Sequence, residues 1–80
     1  MPTVLRALGF SVRIYPNDHA PPHVHVVGAD GTARVALGDE VTRPRLLTVI
    51  GLSRSDAVRA LHLVAAHQEL CLARWREIHG

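Results

Sequence analysis

The sequence contains no lysine, only one cysteine and only three aromatic residues. The lone cysteine, Cys71, excludes an internal disulfide and suits a reducing compartment. All nine basic residues are arginine, which either reflects codon usage or suits the binding of phosphates and carboxylates through the forked guanidinium donors. The net charge of +2 is too small to identify a nucleic-acid-binding protein by itself.

Long apolar runs are also missing. No stretch approaches the roughly 18 apolar residues of a membrane span, and the N-terminus lacks the charged-then-apolar pattern of a signal peptide. We therefore expect a cytoplasmic protein without a membrane segment. The length of 80 residues predicts a single domain over residues 1–80, and the apolar content of 48% argues against disorder. With so few aromatic residues, the core has to be built from Val, Leu, Ile and Ala.

Alternation of apolar and polar residues predicts short antiparallel strands in the first two thirds of the chain. The clearest case is residues 10–15, where Phe10, Val12 and Ile14 share one face. An Asp-Gly pair between two alternating runs is a hairpin signal. The predicted strands are residues 3–6, 10–15, 23–27 and 32–37, with a possible fifth at 46–50. Residues 38–45 are expected to form a polar loop.

The periodicity becomes helical after Ser53, which with Asp56 forms a variant of the capping box. No glycine or proline interrupts residues 54–78, so one helix of about 37 Å is predicted. Apolar residues at helical spacing, with Trp75 among them, are expected to pack on the sheet. The predicted fold class is therefore α+β, a small antiparallel sheet of four or five strands with one long C-terminal helix packed on one face.

The predicted helix carries a second apolar row. Its members are Leu63, Ala66, Leu70, Cys71 and Ile78. This row indicates either a wide contact with the core or an exposed surface for a homodimer or another protein. On the predicted helix, His62 and His67 are five residues apart and do not share a face, and His79 is at the frayed end. All three are expected to be solvated.

The most informative segment runs from Asp18 to His25 and contains three histidines and two consecutive prolines. The prolines exclude regular structure and favour a stiff, extended approach to the next strand. Strand alternation places His23 and His25 on the face opposite Val24 and Val26. The same polar face is expected to hold Arg13, Tyr15 and Arg34, with Asp18 and His19 at its rim.

Three interpretations of this polar cluster remain open. The first is a solvated face of an antiparallel sheet. The second is a Zn²⁺ site, in which His23 and His25 need a third ligand from His19 or Asp18.

The third interpretation is an acid–base site that needs no metal or other cofactor. Histidine exchanges protons near neutral pH, and arginine stabilises a developing phosphoryl charge. Such a set suits cleavage of RNA by its own 2′-hydroxyl. The catalytic candidates are Asp18, His19, His23 and His25, and the candidates for substrate binding are Arg13, Tyr15 and Arg34.

Three sequence motifs resemble a bacterial family catalogued as domain of unknown function 4160. They are the opening MPTVLR, the segment NDHAPPHVHV at residues 17–26 and the closing HQELCLARWREI at residues 67–78. The order Asp-His-x-Pro-Pro-His-x-His is rarely met elsewhere, and the resemblance covers nearly the whole chain.

The resemblance implies a function that residue patterns do not reveal. Members are commonly small cytosolic proteins encoded beside a partner, and some are named DhiT-type toxins of type II toxin–antitoxin pairs. The resemblance therefore implies a toxin that is neutralised by a cognate antitoxin protein. Together with the histidine cluster, it leads us to expect a toxin that acts on RNA. The alternative is a non-catalytic binding module whose His/Arg face holds a protein or nucleic-acid target.

Overall fold

Five antiparallel strands form one sheet in the computed structural model, which describes residues 3–39 and 41–80. The strands are β1 (Thr3–Ala7), β2 (Phe10–Arg13), β3 (His23–Val27), β4 (Thr32–Ala36) and β5 (Arg45–Ile50). Each strand pairs with the next along the chain, so the sheet order is the chain order. Two helices follow, α1 (Arg54–Ala66) and α2 (Gln68–His79). The predicted α+β fold is confirmed, and the possible fifth strand is present.

Tight turns fix the register of the strand pairs. Leu8 and Gly9 connect β1 to β2 and both have positive φ, 56° and 81°, as a two-residue hairpin turn of type I′ requires. In the β3–β4 connection the Gly28 N–H donates to the Gly31 carbonyl at 2.8 Å. A Cβ at Gly31 would collide with the carbonyl oxygen of Ile50 on β5, so this turn accepts no side chain there.

The inner face of the sheet forms the core with the helices. Val12 pairs with Val26, and Val24 pairs with Val35, and all four side chains are fully buried. Phe10, Ile14 and residues of both helices complete the cluster. The strand alternation read from the sequence is therefore confirmed on the inner face, where aliphatic residues predominate as expected.

The predicted continuous helix is wrong in one respect, because the chain leaves helical geometry at His67, with φ −122° and ψ 27°. The His67 N–H donates to Val64, three residues back, at 3.0 Å. Its imidazole Nδ1–H donates to the carbonyl of Leu63 at 3.0 Å, taking the acceptor that a continuing helix would use for the backbone N–H. The longest extent of the fold is 33 Å, shorter than the about 37 Å of an unbroken helix. The helix start is as predicted, since the Ser53 hydroxyl accepts from the Asp56 N–H at 3.1 Å.

The second apolar row of the C-terminal segment is only partly exposed. If the row formed an exposed surface throughout, Leu63 and Cys71 would be partly exposed, but both are buried, Leu63 on α1 and Cys71 on α2. Leu70 and Ile78 remain exposed, as expected. The second apolar row is therefore partly core and only partly surface.

The segment between β4 and β5 is held by Asp39. Its carboxylate accepts from the N–H groups of Val41 and Thr42 at 2.9 and 2.8 Å, and these bonds outweigh partial desolvation and lower the pKa of Asp39. The side chain of Gln68 donates to the Asp39 carbonyl at 3.2 Å and so ties the loop to the start of α2. Glu40 lies outside the described residues. Within residues 3–39 and 41–80, no helix has the length and apolar character needed to cross a bilayer.

Candidate functional site

A row of three basic side chains crosses the outer face of the sheet. Arg13 on β2 pairs with His25 on β3, and His25 pairs with Arg34 on β4. Directly opposed residues on neighbouring strands have Cβ atoms about 4.5–5.5 Å apart, so the two arginines flank the imidazole on both sides. Arg34 is exposed, whereas Arg13 is half-buried and donates from Nε to the Ser11 hydroxyl at 3.1 Å.

Asp18 connects the proline-rich loop to this row. Its Oδ2 accepts from the Tyr15 N–H at 3.0 Å, and its own N–H donates to the Tyr15 carbonyl at 3.0 Å. The two carboxylate oxygens lie 3.1 and 3.2 Å from His25 Nε2. Because a carboxylate only accepts, the proton of this contact belongs to His25 Nε2. Asp18 thus fixes the orientation of the His25 ring.

Opposing effects act on the Asp18 carboxyl. Partial burial by itself raises its pKa, but the Tyr15 N–H, the hydrogen bond from His25 and the charges of His25 and His23 together lower it. The carboxylate form is therefore favoured at neutral pH.

His23 is the buried member of the cluster, with 6% of the residue exposed. Its Nδ1–H donates to the carbonyl of Pro21 at 3.0 Å, so the neutral ring carries no proton on Nε2. That Nε2 lies 3.7 Å from Asp18 Oδ1. We expected a contiguous polar cluster that is reached from solvent; His23 belongs to the cluster but is buried, because the ring centroid of Trp75 lies 5.4 Å from its own.

Aromatic contacts hold the rings in place. The rings of His23 and His25 are 5.2 Å apart, and Tyr15 lies edge-on to His25 at 4.8 Å. His79, expected to be solvated at a frayed helix end, is half-buried and stacks on Trp75 at 3.8 Å. The C-terminal end of α2 therefore packs against the site.

A shallow groove of about 350 Å³ gives access to the cluster. Asp18, His19, His23, His25, Arg34 and Leu47 are among its lining residues. His19 is exposed on the loop and has no hydrogen-bond partner among the described residues. The groove thus brings together most of the candidates predicted from the sequence. Tyr15 contacts His25, and Arg13 neighbours it in the sheet.

The geometry permits two kinds of chemistry. Asp18, His23 and His25 each offer a ligand atom, and these atoms lie within 4.8 Å of one another, so a metal ion would find a carboxylate and two imidazoles. Asp18, rather than His19, completes this set with the two strand histidines. The same Asp18–His25 pair also has the arrangement of a carboxylate that orients an imidazole base.

Sequence reasoning missed three contributors to the site. Trp75 was expected to be buried, but nothing in its spacing placed it against His23. Leu47 was assigned to a strand without a role at the groove. The third is the Pro21 carbonyl, which sets the tautomer of His23. The sequence offered one indication of this contact, because Pro21 lies only two residues before His23 in a stiff segment.

The grooves with the largest volume lie elsewhere. One of about 800 Å³ runs between the loop around Val41 and α1, and its lining includes His62 and Glu69. Among its described lining residues no pair of groups is arranged like Asp18 and His25, so volume does not identify the candidate site here. We place the candidate site at the smaller groove because its side chains are close to one another, oriented by hydrogen bonds and partly desolvated.

Comparison with known proteins agrees with the motifs. The sequence profile of a family described as a domain of unknown function (DUF4160) matches residues 9–76, which include the Asp18–His25 segment and most of both helices. Neither the curated proteins nor the solved structures yield a significant match. The chain therefore belongs to the family of the domain of unknown function 4160.

Proposed function

We propose that the protein is a cytoplasmic toxin of a toxin–antitoxin pair that cleaves RNA by acid–base chemistry without a metal. The observation that carries this proposal is the hydrogen bond from His25 Nε2 to Asp18, formed beside Arg34 in an accessible groove. An oriented imidazole can act as the general base for attack by a neighbouring 2′-hydroxyl, and a guanidinium beside it can stabilise the phosphoryl charge.

The proposed reaction begins at His25. Because Asp18 holds the proton on Nε2, the lone pair of a neutral His25 ring is on Nδ1, which accepts the proton of the ribose 2′-hydroxyl. The 2′-oxygen then bonds to phosphorus, and the bond from phosphorus to the 5′-oxygen breaks. The leaving 5′-oxygen takes a proton from the imidazolium of His19. The products are a 2′,3′-cyclic phosphate and a 5′-hydroxyl.

The remaining candidate residues bind the phosphate or hold other parts of the site in position. Arg34 and Arg13 stabilise the charge on the phosphoryl oxygens, because they flank His25 in the sheet. Tyr15 supports the imidazole from its edge. His23 is too buried to meet a phosphodiester directly, so we assign it the role of holding the loop through its hydrogen bond to the Pro21 carbonyl.

The test combines growth with RNA chemistry. Inducible expression of the wild type should arrest growth and produce RNA fragments with 2′,3′-cyclic phosphate ends. His25→Ala and Asp18→Asn should abolish both effects while circular dichroism shows a folded protein. His62→Ala is the matched control, because His62 is exposed on α1 and does not line the groove around His25. Intact RNA in arrested cells would contradict the proposed cleavage.

A second candidate is a binding module that holds its target without cleaving it. It is favoured by the burial of His23 and by the hydrogen bond that His25 donates to Asp18, because both also suit a structural role in holding the loop on the sheet. In that case Arg34→Ala should abolish growth arrest while His25→Gln, which keeps a donor, leaves it intact. The acid–base proposal requires the opposite outcome for His25→Gln.

The toxin proposal implies a protein partner, the cognate antitoxin. The proposed contact with the antitoxin is formed by Leu70 and Ile78, the large residues of the second apolar row that are exposed on α2. The alternative is a homodimer through the same face. Co-expression with the product of the neighbouring gene, followed by light scattering, distinguishes a complex from a dimer.

A further inference from the structure

We infer that Asp18, His23 and His25 form a three-ligand site for Zn²⁺, and that the bound ion switches off the cleavage proposed above. The binding of the ion stands independently of the proposed function, whereas its inhibitory effect rests on it.

The distances carry the first step. Two ligand atoms about 2.0–2.1 Å from a tetrahedral zinc ion are roughly 3.4 Å apart. The Asp18 Oδ1 atom lies 3.1 Å from His25 Nε2 and 3.7 Å from His23 Nε2. All three ligand atoms lie within 4.8 Å of one another, so small side-chain rotations bring them to one ion.

The tautomer of His23 carries the second step. Its Nδ1–H donates to the Pro21 carbonyl, so the Nε2 lone pair of the neutral ring faces the Asp18 carboxylate across 3.7 Å. The side chain is 7% exposed, so little water reaches it. Histidines that bind metals almost always donate the N–H of their other ring nitrogen to a carbonyl, a carboxylate or water. His23 already has this arrangement. A cation between the lone pair and the carboxylate turns an unfavourable contact into two bonds.

The ligand set selects the ion and leaves a position open. Two imidazole nitrogens and one carboxylate oxygen are the protein ligands of many zinc sites that keep a fourth position for water. Asp18 supplies the carboxylate oxygen of this set, and its Oδ1 atom lies within 3.7 Å of the Nε2 atoms of both histidines. Because the groove reaches all three residues, the ion can enter from solvent.

The inhibitory effect follows from the proton on His25. When Nε2 of a neutral imidazole binds a metal, its remaining proton is on Nδ1. Nδ1 is the atom that accepts the 2′-hydroxyl proton in the proposed reaction, so the metal-bound ring has no lone pair left for it. The ion also breaks the Asp18–His25 hydrogen bond that orients the ring.

Binding is tested by titrating the whole chain with Co²⁺, whose absorption in the visible region reports tetrahedral coordination, and with Zn²⁺ by calorimetry. We expect one ion per chain. Asp18→Asn and His25→Ala should weaken binding by more than about 100-fold, since even loss of an outer partner costs about 10–100-fold. His19→Ala and His62→Ala should bind as the wild type does. Absence of stoichiometric binding, or binding unaffected by both ligand substitutions, would overturn the site.

The inhibitory effect is tested on RNA with chelator-treated protein. One equivalent of Zn²⁺ should suppress cleavage at least 10-fold, and excess chelator should restore it. Zinc bound in the calorimeter with cleavage unchanged or faster would overturn the switch and leave the site. No cleavage by metal-free protein would overturn the proposed function and the switch with it, while the Co²⁺ spectrum still decides the site.

Discussion

Asp18 is the residue on which the conformation of the loop depends, because it joins the Tyr15 N–H and the His25 ring. Asp18→Ala leaves two partly buried donors without acceptors, and we expect the free energy of unfolding to fall by about 1–3 kcal/mol. Urea denaturation measures the change. Glu77→Ala is the matched control, because it removes a carboxylate paired only at the surface with Arg74 and should cost less than about 0.5 kcal/mol. Equal effects of the two substitutions would show that Asp18 does not hold the loop.

Because of Cys71, we expect the free energy of unfolding to depend on pH in the alkaline range. Burial raises the pKa of its thiol to about 11. Below about pH 9 the thiol is protonated in both the folded and the unfolded chain. Between pH 9 and 11 only the unfolded chain ionises, so the free energy of unfolding should fall by up to about 2–3 kcal/mol. The measurement is denaturant unfolding across this range, with Cys71→Ala as reference. A slope shared by both proteins would refute the assignment.

At the scale of the elements, the β1–β2 turn contains an unfavourable backbone conformation at Leu8 that a substitution can relieve. Leu8 has φ 56° and is 62% exposed, so it occupies a left-handed conformation without packing in return. Leu8→Asn should raise the free energy of unfolding by about 0.5–1 kcal/mol, because asparagine tolerates this conformation in type I′ turns. Leu8→Ala removes the same exposed surface but keeps the conformational cost, so it should not stabilise. Thermal unfolding of the two variants compares them, and equal melting temperatures would contradict the explanation.

The strands were more predictable than the helices for a physical reason. Side chains in a strand alternate strictly, so Arg13, His25 and Arg34 could be assigned to one face from the sequence alone. The helix break at His67 has no glycine or proline to signal it. It arises because a side chain replaces a backbone donor at the Leu63 carbonyl, and the sequence pattern does not encode that competition.

The site was predictable where its residues are close in the chain. Asp18 and His25 are seven residues apart, and a stiff loop followed by a strand limits how far they can separate. The contact of His23 with Trp75 depends on the direction of α2 after the break, so no local pattern could reveal it.

At the scale of the whole molecule, the proposed antitoxin contact can be separated from folding. Leu70 is 43% exposed on α2, so Leu70→Glu should leave the free energy of unfolding nearly unchanged while it weakens the complex at least 10-fold. Val58→Glu is the matched control, because Val58 is exposed to a similar degree on α1. Pull-down and calorimetry with the co-expressed partner measure both variants. A complex that forms normally with Leu70→Glu would remove α2 from the interface.

Because the strands pair in chain order, the sheet can assemble through successive hairpins that close only short loops. The pair of Asp18 and His25 needs the β2–β3 hairpin alone, whereas the cover over His23 requires α2, some 50 residues farther along the chain. The two halves of the site thus differ in the loop entropy that their formation costs. Trp75 is the only tryptophan of the chain, and its contact with His23 makes its fluorescence a reporter of the docking of α2, which forms the second half. In stopped-flow refolding, backbone circular dichroism follows the formation of secondary structure and the indole follows closure over the histidine, so a delay between the two signals measures how late the buried side of the groove forms.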